Sequence, residues 1–305
     1  MDLSKAIVSI SEEFKAKSYE ASNHLPKSVR SPAGRHVRPA IATAYRSVVD
    51  RLVPSTWEIT TNGLTMRFRI SNIDEYRQFK RFPEKDTSFP LPGDLLNQLR
   101  SDDVFWDIGA NVGVYTCFAA AALPPGQVVS IEPNPNNAAR ITENLRLNGL
   151  TADVHQRALM EEPGELTLEI TDHVDAGAYG RITEDPSSGI TVQGTSGDRL
   201  VDAGVPAPTV IKIDVQGAEF EALRGMENLL SSPDCRLVYA DIITADSGGY
   251  YKGKSNGDAE REWLEDRGFE VERLYEWEDG HFIRAQRPEE GSRDGERDAL
   301  EPSVS

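Results

Sequence analysis

Along the middle of the chain, short apolar runs alternate with stretches whose apolar residues recur at helical spacing. Val104–Asp107, Val128–Glu132, Asp153–Gln156, Glu165–Ile170, Val210–Asp214 and Leu237–Asp241 predict strands. Helices are expected from Tyr115 to Leu123, over Asn136–Asn148, over Glu219–Leu230 (where Phe220, Leu223 and Leu229 share a face) and over Asp258–Arg267. Strands Glu270–Tyr275 and His281–Ala285 close the pattern, and Leu95, Leu96 and Leu99 begin a helix that leads into its first strand. Continuous apolar runs separated by helices argue for a parallel sheet covered on both faces.

The flanks read differently. Ile7, Ile10 and Phe14 fall on one helical face, Pro26, Pro32 and Gly34 break it, and a second helix is expected over Pro39–Leu52. Trp57–Ile70 reads as a β-hairpin turning at Asn62-Gly63. The basic, aromatic stretch Arg77–Pro92 either packs on the core or forms a substrate lip. Four regions follow: an accessory helical segment (1–55), a hairpin and lead-in (56–93), a core domain (94–286) and a charged, aperiodic tail (287–305) expected to be disordered. Within the core, 171–200 is expected to be a long connection, and the glycine- and tyrosine-rich stretch 246–257 a lid or a plain flexible loop.

Chemistry enters where the strands end. Asp107 and Glu132 close two successive apolar runs, with Gly109 and Gly113 in the turn between them. Such a strand-turn-helix brings backbone to a ligand at the carboxyl edge of a parallel sheet, and the second acid suits ribose hydroxyls. The spacing Asp107-x-Gly109-x-Asn111-x-Gly113 is not the G-x-G-x-x-G of dinucleotide-binding turns. It resembles motif I of the S-adenosylmethionine (SAM)-dependent methyltransferases. A second signature, Thr209 to Gly225, reads Thr-Val-Ile-Lys-Ile-Asp-Val-Gln-Gly-Ala-Glu-Phe-Glu-Ala-Leu-Arg-Gly.

Together the two segments resemble the FkbM family of methyltransferases, with its D-I-G-A-N-x-G and later I-K-I-D-x-E-G-x-E, over roughly Asp94 to Ala285. The resemblance implies an α/β, Rossmann-like class I methyltransferase: a mostly parallel seven-stranded sheet with helices on both faces and an inserted antiparallel last strand, behind an N-terminal helical and hairpin extension. It implies SAM as cofactor, held by Asp107, Gly109, Ala110, Asn111, Gly113, Glu132, Ala158 and Asp214, and methylation of a hydroxyl on a sugar, glycan or other metabolite. Gln216 and Asp241 stand where the family usually has Glu.

A hydroxyl nucleophile benefits from a base that takes its proton. Asp214, at the end of the strand adjoining the first, and His173, in the long connection, are the candidates; Asp214 would serve equally to hold the SAM amino group or cap a helix. Asp214 and Asp241 are similar to the Mg²⁺-holding pair of catechol-type O-methyltransferases, but Ile242 replaces the usual Asn, so a structural or substrate-binding pair is expected and no metal. Two other readings stay open, a nucleic-acid methyltransferase and a non-catalytic SAM-binding module. Against the first, Asp214-Val-Gln-Gly replaces the N/D-P-P-Y/F of base amino methylation, and Cys235 does not follow a proline.

Composition narrows the picture further. A formal net charge of -17 argues against a nucleic-acid partner bound through a basic surface and favours a small-molecule or glycan acceptor. The sequence has 9 Lys against 24 Arg within 33 basic residues, and this acidity with scarce Lys suggests a halophilic source. The sequence carries neither an apolar run long enough to span a membrane nor a signal-peptide core, so a cytoplasmic protein is expected. Cys117 and Cys235 are expected in the core, and the oligomeric state is left open.

Overall fold

The computed structural model of the chain describes residues 50–51, 53–81, 92–171, 179–183, 185–243, 258–277 and 280–288. The expectations for the two N-terminal helices, for His173, for the lid at 246–257 and for most of the tail lie outside these residues. The chain divides into two units, 1–87 with 172–178, and 88–171 with 179–305.

In the first unit, β1 (Thr56–Thr61) and β2 (Leu64–Arg69) pair antiparallel with Thr61 opposite Leu64. The turn between them holds Asn62 at φ 48 and Gly63 at φ 76, the left-handed pair that matches strand twist. Helix α1 (Ile73–Arg81) follows, its entry capped by Asn72, which accepts from the Glu75 N–H at 2.8 Å. Ile59, Met66 and Phe68 of the hairpin and Ile73, Tyr76 and Phe79 of the helix are buried. Part of the basic, aromatic stretch is therefore a helix with Phe79 turned inward.

The second unit carries the expected sheet. Its elements are α2 (Pro92–Gln98), β3 (Phe105–Ile108), α3 (Val114–Ala122), β4 (Val128–Ile131), α4 (Pro135–Leu147), β5 (Asp153–His155), β6 (Ala158–Leu159), β7 (Gly164–Thr171), β8 (Tyr179–Thr183), β9 (Ile190–Thr195), α5 (Gly197–Asp202), β10 (Val210–Ile213), α6 (Glu219–Arg224), α7 (Glu227–Ser231), β11 (Leu237–Ile243), α8 (Asp258–Glu265), β12 (Glu270–Trp277) and β13 (Gly280–Gln286). Seven strands lie in the order β12-β13-β11-β10-β3-β4-β5. β5, β4, β3, β10 and β11 are parallel, and β13 is inserted antiparallel between β11 and β12. Every residue of β3, β4 and β10 is buried, as strands covered on both faces require.

Three expectations are corrected. Glu165–Ile170 was expected in the parallel sheet, but β7 belongs to a separate four-stranded sheet, β6-β9-β7-β8, and is antiparallel to both neighbours. Its strict alternation is the reason: Leu166, Leu168 and Ile170 face a small core with Ile182, Val192, Ala158 and Met160, while the polar residues between them face outward. The connection 171–200 holds two strands, β8 and β9, and the start of α5, which is capped by Ser196 accepting from the Arg199 N–H at 3.3 Å. The single helix expected over Glu219–Leu230 is two, α6 and α7. At the break a Cβ on Gly225 would lie 2.1 Å from the Met160 carbonyl oxygen, so the close approach of that backbone requires glycine there.

Arg287, expected to head the tail, is fastened: its guanidinium donates to the carbonyls of Leu230, Cys235 and Arg267 at 2.7, 2.9 and 2.7 Å. Cys117 and Cys235 are buried and unbridged, and burial pushes both thiols up to about 12. No helix among the described residues is long and apolar enough to cross a membrane.

Candidate active site

Paired positions of parallel strands share a face, so sheet register decides which side chains meet. On one face a first row is apolar: Phe105, Val128, Val210 and Leu237. Two residues along, the next row is Asp107, Ser130, Lys212 and Tyr239. Beyond it come Glu132 and Asp214, just past their strands, and Asp241 inside β11.

Motif I builds the turn above this row. Gly109 has φ +70, Asn111 φ 52 and Gly113 φ +83. A Cβ on Gly109 would sit 1.8 Å from the Asp214 carbonyl oxygen. This glycine is therefore required for β3 and β10 to close on each other, a different reason from the ligand approach its motif suggested. A Cβ on Gly113 would meet the Ile141 side chain at 3.1 Å, which lets α4 pack against the start of α3. Gly109 and Ala110 both donate their N–H groups to the Ile131 carbonyl, at 2.9 and 3.2 Å.

Asp107 is fully buried. Its Oδ2 accepts from the Thr116 N–H at 2.9 Å and the Thr116 hydroxyl at 2.6 Å, and its Oδ1 lies 3.3 Å from Lys212 Nζ. It thus fastens the first turn of α3 and neutralises a buried cation. Glu132 ties the two motif strands together. Its Oε2 accepts from the Asn111 N–H at 2.8 Å, and its Oε1 from the Asn134 N–H at 2.9 Å and Asn137 Nδ2 at 3.5 Å. Burial outweighs these bonds and the nearby Lys212 charge, pushing the carboxyl up to about 7. Ala158 is buried at the start of β6, paired with Gly194 of β9.

Lys212 was assigned no role from the sequence, although a lysine inside the otherwise apolar Val-Ile-Lys-Ile run was visible there. Its ammonium donates to the Gly109 carbonyl at 3.2 Å, stands 3.7 Å from Asp214 Oδ2, and lies 5.2 Å from the centre of the Tyr115 ring. Burial works against the ammonium, yet Asp107 and then Asp214 hold it above the ordinary lysine range. Burial, followed by the charges of Asp214 and Asp107, holds the Tyr115 phenol far above its usual range.

Asp214 is the most accessible acid of the group, with its side chain 22% exposed. Its N–H donates to the Ile108 carbonyl at 3.0 Å, and its Oδ1 accepts from Gln216 Nε2 at 2.6 Å. Beside it Asp241 is buried, and its Oδ1 has no hydrogen-bond partner. Burial, reinforced by Asp214 and Glu219, pushes the Asp241 carboxyl up to about 9. Glu219 opens α6 and closes the turn after β10 by accepting from the N–H groups of Val215 and Gly217 at 3.3 and 2.9 Å; burial pushes it up to about 8. Among the described residues no group of three or more His, Cys, Asp or Glu side chains is placed to hold a metal ion. The cation beside Asp214 is the Lys212 ammonium.

This geometry has relatives. Residues 107–271 match the methyltransferase FkbM domain, from Asp107 of the first motif to Val271 in β12. The chain belongs to the FkbM family of methyltransferases. It is 32% identical over 178 residues to the hexuronic acid methyltransferase AglP of Haloferax volcanii, covering 58% of this chain and 71% of that one. It is 30% identical over 180 residues to the 31-O-demethyl-FK506 methyltransferase FkbM of Streptomyces tacrolimicus, covering 49% and 68%. A crystal structure of an FkbM methyltransferase from Methylobacillus flagellatus KT superposes with a TM-score of 0.43 at 19% identity, over 62% of this chain and 45% of that one.

An FkbM enzyme transfers methyl groups, and family membership implies SAM as the donor. The residues at the carboxyl edge suit it chemically. Glu132 Oε2, which takes one bond from the Asn111 N–H, has a lone pair left for a ribose hydroxyl. Asn111 Oδ1 is buried without a hydrogen-bond partner, an acceptor suited to the ammonium of an amino acid end.

Proposed function

We propose that this FkbM-family enzyme methylates a hydroxyl of a sugar, with hexuronic acid units as the first class to test. The observation that carries the reading is Asp214, a partly exposed carboxylate fixed where the Gly109 turn, β10 and β11 converge. AglP, by its name, acts on a hexuronic acid, and it is the source of the sugar assignment.

Glu132 would accept a ribose hydroxyl of SAM, Asn111 Oδ1 would hold the ammonium of its amino acid end, and the main chain near Ala158 would meet its adenine. Asp107 acts one step back, keeping α3 and Lys212 in place. When bound, SAM supplies a methyl group on a positively charged sulfur that leaves as a neutral thioether. The protein's part is to align the acceptor oxygen in line with that carbon and exclude water. As the new C–O bond forms, the acceptor's O–H proton passes to the Asp214 carboxylate. His173 is the alternative base. The acceptor is a small molecule or glycan, and the protein works in the cytoplasm.

The test is incubation with methyl-labelled SAM and a panel of free and glycosidically linked hexuronic acids, read by mass spectrometry. A hexuronic acid offers both hydroxyls and a carboxyl group, and mild alkali releases methanol from an ester but not from an ether. An alkali-stable product, lost in Asp214→Asn and kept in His173→Ala, supports the reading. An ester product formed equally well by Asp214→Asn would overturn it, because a carboxylate nucleophile needs no base. Transfer to hexoses but not hexuronic acids would move the substrate class.

A further inference from the structure

We propose that Gln216 is a positioning residue for Asp214: its side-chain amide clamps Oδ1 and leaves Oδ2 as the oxygen that receives the acceptor's proton. The proposal rests on the reading of Asp214 as the base. Gln216 sits in the left-handed region at φ 57, which residues with a Cβ adopt uncommonly and glycine adopts freely. A long amide kept at a position that suits glycine is a reason to ask what the amide does. Its Nε2 lies 2.6 Å from Asp214 Oδ1. The flipped amide would set two acceptor oxygens against each other at that distance, so the nitrogen must face the carboxylate.

The turn is fixed independently of this bond. The Glu219 carboxylate accepts from Val215 and Gly217, the Asp214 N–H donates to Ile108, and Gly109 closes against the Asp214 carbonyl. The backbone therefore has no need of the Gln216 amide, whose effect falls on the Asp214 side chain. Among the described residues Oδ2 receives no hydrogen bond, and the Lys212 ammonium is 3.7 Å away. One oxygen donor-bound and the other open fixes rotation of the carboxylate about its Cβ–Cγ bond. In the transfer step the acceptor O–H bond breaks toward Oδ2, the C–O bond forms and the sulfur–carbon bond breaks.

The charged and titratable groups facing Asp214 are Lys212 on its own strand, Asp107 on β3, Tyr115 on α3, Asp241 on β11 and Glu219 on α6. Gln216→Glu would add another carboxylate at hydrogen-bond distance. The acid limb of the kcat profile should then move to higher pH.

The test uses the full chain in two arms. In ¹⁵N-glutamine-labelled protein without SAM, the Gln216 side-chain amide should show slowed exchange and a displaced shift that Asp214→Asn abolishes. In turnover of SAM with 4-nitrophenyl β-D-glucuronide, Gln216→Gly should lower kcat about ten- to a hundredfold, part of the roughly hundred- to ten-thousandfold that a positioned base supplies, and leave both KM values within about threefold. Its thermal midpoint should not fall, because glycine relieves the left-handed strain; SAM affinity by calorimetry should stay within about threefold. A Gln216 amide indifferent to Asp214→Asn overturns the proposal, and so does a Gln216→Gly enzyme with the wild-type kcat and pH profile. If Asp214→Asn also turns over normally, the base assignment has failed; if Asp214→Asn is dead while Gln216→Gly is unaffected, only the positioning role has. The amide arm needs no acceptor, so it decides the coupling even where the glucuronide is not methylated.

Discussion

The two faces of the central sheet are carried by the same four strands, one residue out of step, and they could hardly differ more. One face runs Trp106 and Ile108, Val129 and Ile131, Ile211 and Ile213, Val238 and Ala240, apolar from end to end beneath α5, α6, α7 and α8. The other begins with Phe105, Val128, Val210 and Leu237 and within two residues becomes Asp107, Ser130, Lys212 and Tyr239. Both rows of that face are buried. Burying charge is costly unless it is paired. Within strands β3, β4 and β10 the charge lies at the carboxyl end of one face, as the pair Asp107 and Lys212 beside the motif I turn. The apolar face makes the fold, and the polar end of the other makes the site.

The sharpest way to break this contrast is to charge the apolar face. Ile211→Asp places a carboxylate with no partner among Trp106, Val129 and Val238, and should cost more than about 4 kcal/mol, among the largest single-residue effects. Loss of soluble yield and of the far-ultraviolet helical signal would show it. One residue along, Lys212→Met removes the cation between Asp107 and Asp214. Breaking a buried pair from one side costs about 3–5 kcal/mol, read as a drop in urea unfolding free energy. An unchanged midpoint would mean that the acids do not depend on Lys212.

A smaller effect is a dependence on pH. Glu132, Glu219 and Asp241 are pushed up to about 7, 8 and 9 from ordinary values of 4.5, 4.5 and 3.8. Between those limits the unfolded chain has released protons that the folded one still holds, so stability must fall as pH rises from about 4 to 9. Unfolding followed from pH 5 to 9 should show this decline, on the order of 2 kcal/mol or more. Asp241→Asn, with nothing to ionise, should flatten its upper part and be the more stable protein at pH 8.5. The smallest expected effect is that of salt on the exposed surface: with a net charge of -17, molar KCl should raise the thermal midpoint by a few degrees or more. Equal midpoints with and without KCl would remove the halophilic reading.

The same contrast explains what could be read from sequence. Strands buried on both faces announce themselves as short, mostly apolar runs, which is why Val128–Ile131 and Val210–Ile213 were legible despite Ser130 and Lys212. The motif I turn was legible because Gly109, Asn111 and Gly113 sit at left-handed positions at fixed spacing. β7 was assigned to the wrong sheet because its alternation was given less weight than its place in the strand-helix order. The close approach of the Met160 backbone to Gly225, from 65 residues earlier in the chain, has no local signal. Lys212 stands out as a charge in an apolar run, but the run alone carries no sign of its role. Its partner Asp107 lies across a strand pair, and only the register Lys212–Asp107 shows that the two share a face. The link from Glu132 to the Asn111 N–H was hidden for the same reason.

In the proposed reading, the polar end of this face grips SAM through Glu132. Titration calorimetry of SAM between pH 5.5 and 8.5, on wild type and Glu132→Gln, tests it directly. A protonated Glu132 loses acceptor capacity, so wild-type affinity should weaken as pH falls through about 7, by up to about tenfold per unit. Glu132→Gln should bind at least about tenfold more weakly at pH 8 and show no such slope, as expected for loss of charge-assisted hydrogen bonds. Wild-type affinity that is flat across the range, or a variant that binds SAM as tightly as wild type, would contradict the account.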